Sequence, residues 1–131
     1  MLLKQILLVG LGGGVGSIFR YLVSHFTYST SEKVFTPAFP VATFIVNMVG
    51  CLLIGILIGL SYKYVSFDNN LKLLLVTGFC GGFTTFSAFS LESLQLYQAG
   101  NYFSLIAYVL LSVVLGILLV WSGILLRSIL P

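Results

Sequence analysis

The stretch Thr77-Gly78-Phe79-Cys80-Gly81-Gly82-Phe83-Thr84-Thr85-Phe86-Ser87-Ala88-Phe89-Ser90 stands between the apolar run Leu73-Leu74-Leu75-Val76 and Leu91. Gly78, Gly81 and Gly82 each weaken a helix by about 1 kcal/mol relative to alanine. The hydroxyls of Thr84, Thr85, Ser87 and Ser90 follow at once, and such side chains redirect backbone hydrogen bonds. The expectation is a helix broken around Gly81–Thr85. A glycine-rich packing seam in an intact helix is the alternative reading, and Phe83, Phe86 and Phe89 would then be lipid-facing bulk.

The setting of this segment decides the class of protein. The chain of 131 residues is 59% hydrophobic and 7% charged, with a mean hydropathy of +1.13. Soluble domains carry about 25% charged residues, so a water-soluble globule is excluded. The charges are Lys4, Arg20, Glu32, Lys33, Lys63, Asp68, Lys72, Glu92 and Arg127. Between them lie apolar runs long enough for a bilayer, which needs about 20 residues. Four helices are expected, from Leu2 to Phe26, Val41 to Tyr62, Leu71 to Tyr97 and Tyr102 to Leu126. Lys4 followed by an apolar run imitates a signal peptide, but the run continues well past a typical apolar core. The fold class is therefore all-α integral membrane, a single membrane domain over residues 1–131.

The connections carry turn chemistry. Thr27 to Thr36 is polar and ends near Pro37 and Pro40, which suit a loop and the first turn of the next helix. Asp68-Asn69-Asn70 makes a turn, and Gln98-Ala99-Gly100-Asn101 a short connection. Tyr21, Phe26, Tyr28, Tyr62, Tyr64, Tyr97, Tyr102, Phe103 and Trp121 fall where membrane interfaces belong. With four spans, Lys4, Lys63, Lys72 and Arg127 collect on one side. That bias favours cytoplasmic termini.

Polar residues inside the apolar runs are the candidate functional groups. Asn47 supplies two donors and one carbonyl that lipid leaves unsatisfied; glue between helices is the competing reading. Thr43 lies one turn earlier on the same face, and Tyr108 and Ser112 lie one turn apart in the fourth span. Arg20 is deep enough in the first span to need a partner, a vestibule or a snorkelling route. Glu92 lies about two turns beyond the glycines. Gly10-xxx-Gly14, Gly12-xxx-Gly16 and Gly55-xxx-Gly59 permit close approach of helix backbones.

Several classes are excluded. A net charge of +3 without a basic run leaves no footprint for nucleic acid. Cys51 and Cys80 lack metal-ligand spacing and read as small, reduced, buried residues. His25 is the only histidine, so a zinc site is not expected. No catalytic triad, carboxylate pair or phosphate loop appears, and the chain does not read as an enzyme.

At this point the motifs resemble a known family. Gly12-Gly13-Gly14-Val15-Gly16-Ser17-Ile18-Phe19-Arg20-Tyr21, Asn47-xx-Gly50 and Gly78-Phe79-Cys80-Gly81-Gly82-Phe83-Thr84-Thr85-Phe86-Ser87 are similar, in order, to motifs of the Fluc-type (CrcB) fluoride channels. The resemblance implies four helices per subunit with the third broken mid-membrane, and an antiparallel, dual-topology homodimer in a bacterial plasma membrane. It also implies passive export of fluoride through two pores, lowering fluoride toxicity. A structural sodium ion would sit at the dimer centre on the backbone carbonyls of Gly81 and Thr84. Phe86, Phe89 and Asn47 would line the pore, with Thr43, Tyr108 and Ser112 along a polar track. Glu92 would lie near one mouth and Arg20 near an aqueous vestibule.

The charge bias bears on that picture, because identical chains inserted oppositely call for balanced charges. An inverted partner subunit is the alternative to the homodimer. A small multidrug-type exporter is a second alternative, but it needs a carboxylate in the first span, where this chain has Arg20. A non-transporting membrane assembly protein is a third, and it leaves the polar third span unexplained.

Overall fold

The computed structural model describes residues 1–31 and 39–129. Glu32, Lys33 and Pro37, in the expected polar connection, lie outside the described residues. The first helix, Leu2–Ser31, continues a turn beyond the expected Phe26. Pro40 is the cap of the second helix, Val41–Lys63, where its missing N–H would have no helical partner. The last helix is Tyr102–Leu125, followed by a single tight turn, Leu126–Ser128. Among the described residues four helical spans are long and apolar enough to cross a membrane.

The third span, Asn69–Gln98, is the irregular one. It opens on Asp68, whose carboxylate accepts from the Leu71 N–H (3.0 Å) and from the Asn70 amide (2.9 Å). After one α-turn, Lys72–Cys80 adopts the wider π-helical winding, and Gly81–Phe83 returns to α. Thr84 (φ −80, ψ 161) and Thr85 (φ −149, ψ 114) are extended, and a new helix runs from Phe86 to Gln98. Gly81 and Gly82 thus remain helical, and the two threonines after them carry the extended backbone. The Thr84 hydroxyl donates back to the Cys80 carbonyl at 2.9 Å, while the Thr85 hydroxyl accepts from the Ala88 N–H at 3.2 Å. One threonine finishes a helix and the next caps the following one. At the far end Gly100 takes φ +75. Asn101 N–H reaches the Leu96 carbonyl and Gly100 N–H the Tyr97 carbonyl, the Schellman pattern that frees a helix to turn sharply.

Glycine sets the packing. A Cβ on Gly12 would meet the Leu74 carbonyl, one on Gly16 the Phe79 carbonyl and one on Gly82 the Gly13 carbonyl, so the first helix lies backbone to backbone on the third span. A second seam joins the second and last helices. There Gly55 faces the Val120 carbonyl, and a Cβ on Gly123 would stand 2.7 Å from the Leu52 carbonyl. Among the described residues Gly10 and Gly14 meet nothing within 4 Å, so of the two first-span glycine pairs it is Gly12 and Gly16 that meet described backbone.

The interior is small and lies where the second helix meets the third and last, around Val46, Ala42, Phe83 and Tyr108. Phe86, Phe103, Ile117 and Trp121 remain exposed. Apolar surface on this scale needs lipid or another protein over it. The chain is a multi-pass membrane protein.

Candidate functional site

The two extended threonines leave backbone groups that the helix would have satisfied, and side chains from two other helices take them. Ser17 donates to the Gly82 carbonyl (3.4 Å) and Arg20, one turn on, donates from Nη1 to the Thr84 carbonyl (3.3 Å). Asn47 on the second helix accepts the Thr85 N–H at Oδ1 (2.8 Å) and donates from Nδ2 to the Thr85 carbonyl (3.2 Å). The glycine contacts of the first helix explain the reach of Ser17, because only close backbones let so short a side chain arrive.

Two cavities flank this segment. One, about 560 Å³, is lined by Asn47, Gly81, Thr84, Thr85, Phe86, Phe89 and Ser112, with Met48, Cys51 and Cys80 among its apolar walls. The Phe86 and Phe89 rings lie 5.8 Å apart, centroid to centroid. The Ser112 hydroxyl oxygen is buried and has no hydrogen-bond partner among the described residues. The other cavity, about 460 Å³, is polar and contains Ser17, Arg20, Thr43, Thr85, Ser87 and Glu92. Thr85 borders both.

Glu92 is held at both oxygens. Thr43 donates to Oε1 at 2.7 Å and Tyr108 to Oε2 at 2.8 Å. Tyr108 has no exposed surface, and its ring packs on Phe89 (5.0 Å) and Phe39 (5.4 Å). The triad therefore connects the polar cavity to an aromatic wall of the other.

Each residue singled out in the sequence thus has a definite place. Asn47, Phe86, Phe89, Ser112, Gly81 and Thr84 share the larger cavity, while Arg20, Thr43 and Glu92 share the polar one. Tyr108 lies between them through its bond to Glu92. Asn47 has a second task that its position alone did not announce, since its amide is tied to the Thr85 backbone. Ser17 was not singled out, although its spacing of three from Arg20 puts both on one helical face.

A metal site of side chains is not what this arrangement offers: no cluster of three or more His, Cys, Asp or Glu suited to a metal occurs among the described residues. The donors present are carbonyl oxygens where a helix ends, the class that holds sodium in broken-helix transporters. Gly81 is exposed with open space at its Cβ position, and the Thr84 carbonyl keeps one lone pair beside the one that Arg20 engages. A sodium ion fits this donor set in kind.

The family described as CrcB-like protein, Camphor Resistance (CrcB), matches residues 7–124. Curated relatives of this chain carry the name fluoride-specific ion channel FluC. The one from Azobacteroides pseudotrichonymphae is 50% identical over 93% of this chain and 94% of its own. That from Phocaeicola vulgatus is 48% identical over 93% and 97%, and that from Flavobacterium psychrophilum 44% over 96% and 98%. With the family model matching residues 7–124 and relatives 44–50% identical over nearly its whole length, this chain belongs to the CrcB-like family.

Proposed function

We propose that the chain is a subunit of a passive, fluoride-selective channel that lets fluoride leave the cytoplasm. The observation that carries the reading is the convergence of Asn47, Phe86, Phe89 and the Ser112 hydroxyl, which has no partner among the described residues, on one cavity beside an interrupted span, in a chain whose relatives are named as fluoride-specific channels. Stripping water from a small anion without replacement costs on the order of tens of kcal/mol. An amide N–H, a hydroxyl and the positive edges of two phenyl rings replace part of that hydration. None of them carries a full charge, so the ion is held without being trapped, and conduction needs that balance.

In this reading Phe86, Phe89 and Asn47 line the pore, Thr43, Tyr108 and Ser112 form its polar track, Glu92 lies near one mouth and Arg20 in a vestibule. Two copies inserted in opposite senses form the channel, with two pores and the interruption at mid-membrane. The exposed Phe86 and Gly81 support a second copy over this face. A sodium ion at the centre would add fixed positive potential, and the carbonyls of Gly81 and Thr84 from each copy would hold it. Fluoride enters cells as neutral HF and is stranded as the anion at neutral pH, so a passive exit relieves a bacterial cell whose potential is negative inside.

The test is efflux from liposomes holding the purified chain, with matched fluoride and chloride gradients. Fluoride release at channel rates with chloride retained is expected. Phe86→Ile and Phe89→Ile should each reduce the flux while leaving the assembly intact. Fluoride retained in every lipid, and also after co-expression with an inverted partner, would sink the proposal.

A further inference from the structure

The Thr84 carbonyl and the Thr85 N–H belong to one peptide unit. Among the described residues every peptide bond is trans, so these two groups point in opposite directions from that unit. Arg20 of the first helix holds the oxygen at 3.3 Å and Asn47 of the second helix holds the N–H at 2.8 Å. Asn47 also fixes the next carbonyl, that of Thr85. A single peptide between two helical segments is thus gripped at both ends by side chains from two other spans.

We infer that Arg20 and Asn47 act as a pair of positioning residues that lock the orientation of the Thr84–Thr85 peptide and thereby set the polarity of the wall between the two cavities. Helical neighbours do not fix this unit, because both residues are extended. Rotating it by about 180° would exchange its oxygen for its N–H and would break the contacts to Arg20 and Asn47 together. Thr85 borders both cavities, so a passing anion meets whichever group faces it. In the observed orientation a guanidinium engages the Thr84 oxygen, its negative end. The same bonds decide which edge of Asn47 is available. Oδ1 accepts from the Thr85 N–H and one amide hydrogen goes to the Thr85 carbonyl, so one N–H donor stays free beside the second lone pair of Oδ1. The consequence for ion passage rests on the channel reading above; the clamp itself does not.

The experiment uses the purified chain in nanodiscs, with residue-resolved amide exchange at Thr85 and isotope-edited infrared spectroscopy of a ¹³C-labelled Thr84 carbonyl. Asn47→Ala should speed Thr85 exchange by about tenfold or more, the worth of a lost hydrogen bond. Asn47→Asp keeps an acceptor for that N–H and should leave the protection close to the starting value while repelling anions from the pore. Arg20→Met should move the Thr84 carbonyl band to higher wavenumber, and Arg20→Lys should return it. Unchanged Thr85 exchange in Asn47→Ala, or an unchanged band in Arg20→Met, overturns the inference. Should Asn47→Ala fail to assemble, the infrared comparison decides alone. Absence of fluoride flux in the unmodified chain would remove the channel reading and leave the clamp standing on its own readouts.

Discussion

Glu92 shows how one carboxylate can tie three spans together. Its partners Thr43 and Tyr108 come from the second and last helices. Removing one partner of a buried hydrogen bond costs about 1–3 kcal/mol, so Tyr108→Phe should destabilise the fold by about that amount, read as thermal or denaturant unfolding. Glu92→Gln combined with Tyr108→Phe should cost less than the sum of the two, because both disturb one interaction. Asp68 supplies a pH-dependent counterpart outside the spans. The Leu71 N–H and the Asn70 amide hold its carboxyl below the ordinary value of 3.8. The contribution of this cap is thus fully present above that value and is lost as pH falls through the lowered one. Leu71 amide exchange in the intact chain should accelerate only at such acid pH, and Asp68→Ala should abolish the dependence. The sequence names each of these residues by type, since a polar group in an apolar run needs a partner. It does not say which partner. Thr43 and Glu92 stand 49 positions apart, and no periodicity links them. Thr85 is harder still to read, because its structural role belongs to backbone atoms, which every residue possesses.

The glycines of the first helix divide by face, and the division can be measured. Gly12→Ala forces a methyl group into the Leu74 carbonyl, and backbone has no rotamer with which to yield. A loss of about 1–3 kcal/mol, the usual range for overpacking, is expected from unfolding in detergent. Gly10→Ala meets open space and should be neutral or gain up to about 1 kcal/mol from helix propensity alone. The sequence marks both Gly10-xxx-Gly14 and Gly12-xxx-Gly16 as close-approach motifs, and only the partner helix distinguishes them. The hydroxyls after Gly82 signal the departure from helix, and it falls on Thr84 and Thr85. The π-helical winding of Lys72–Cys80 has no such signature: its apolar residues read as ordinary helix, and the wider turn is visible only with the first span packed against it.

The whole molecule has a lopsided charge distribution. Lys4, Lys63, Lys72 and Arg127 flank the termini and the connection between the second and third spans, and Lys63 Nζ lies 3.4 Å from the Arg127 carbonyl. In the antiparallel homodimer proposed above, a cysteine placed in the opposite connection by Asn101→Cys, with Cys51 and Cys80 replaced, should be labelled from both sides of a sealed membrane. Labelling from one side alone would oppose a homodimer and favour an inverted partner subunit. The topology of four spans was legible from length and hydropathy, because lipid admits few alternatives to a satisfied helix. The pairing of first with third and second with last was not legible, because glycine stripes state that helices touch without stating which.

The order in which the chain is made gives the grip on Thr84 and Thr85 a further meaning. Arg20 precedes its partner by 64 residues and Asn47 by 38, so both are synthesised before the atoms they will bind exist. A guanidinium in a lone apolar helix resists insertion by about 2.5–3.5 kcal/mol on the translocon scale. The nascent first span therefore carries an unmet donor until the third arrives to receive it. Joining the first span to the third should then be a late step of biogenesis.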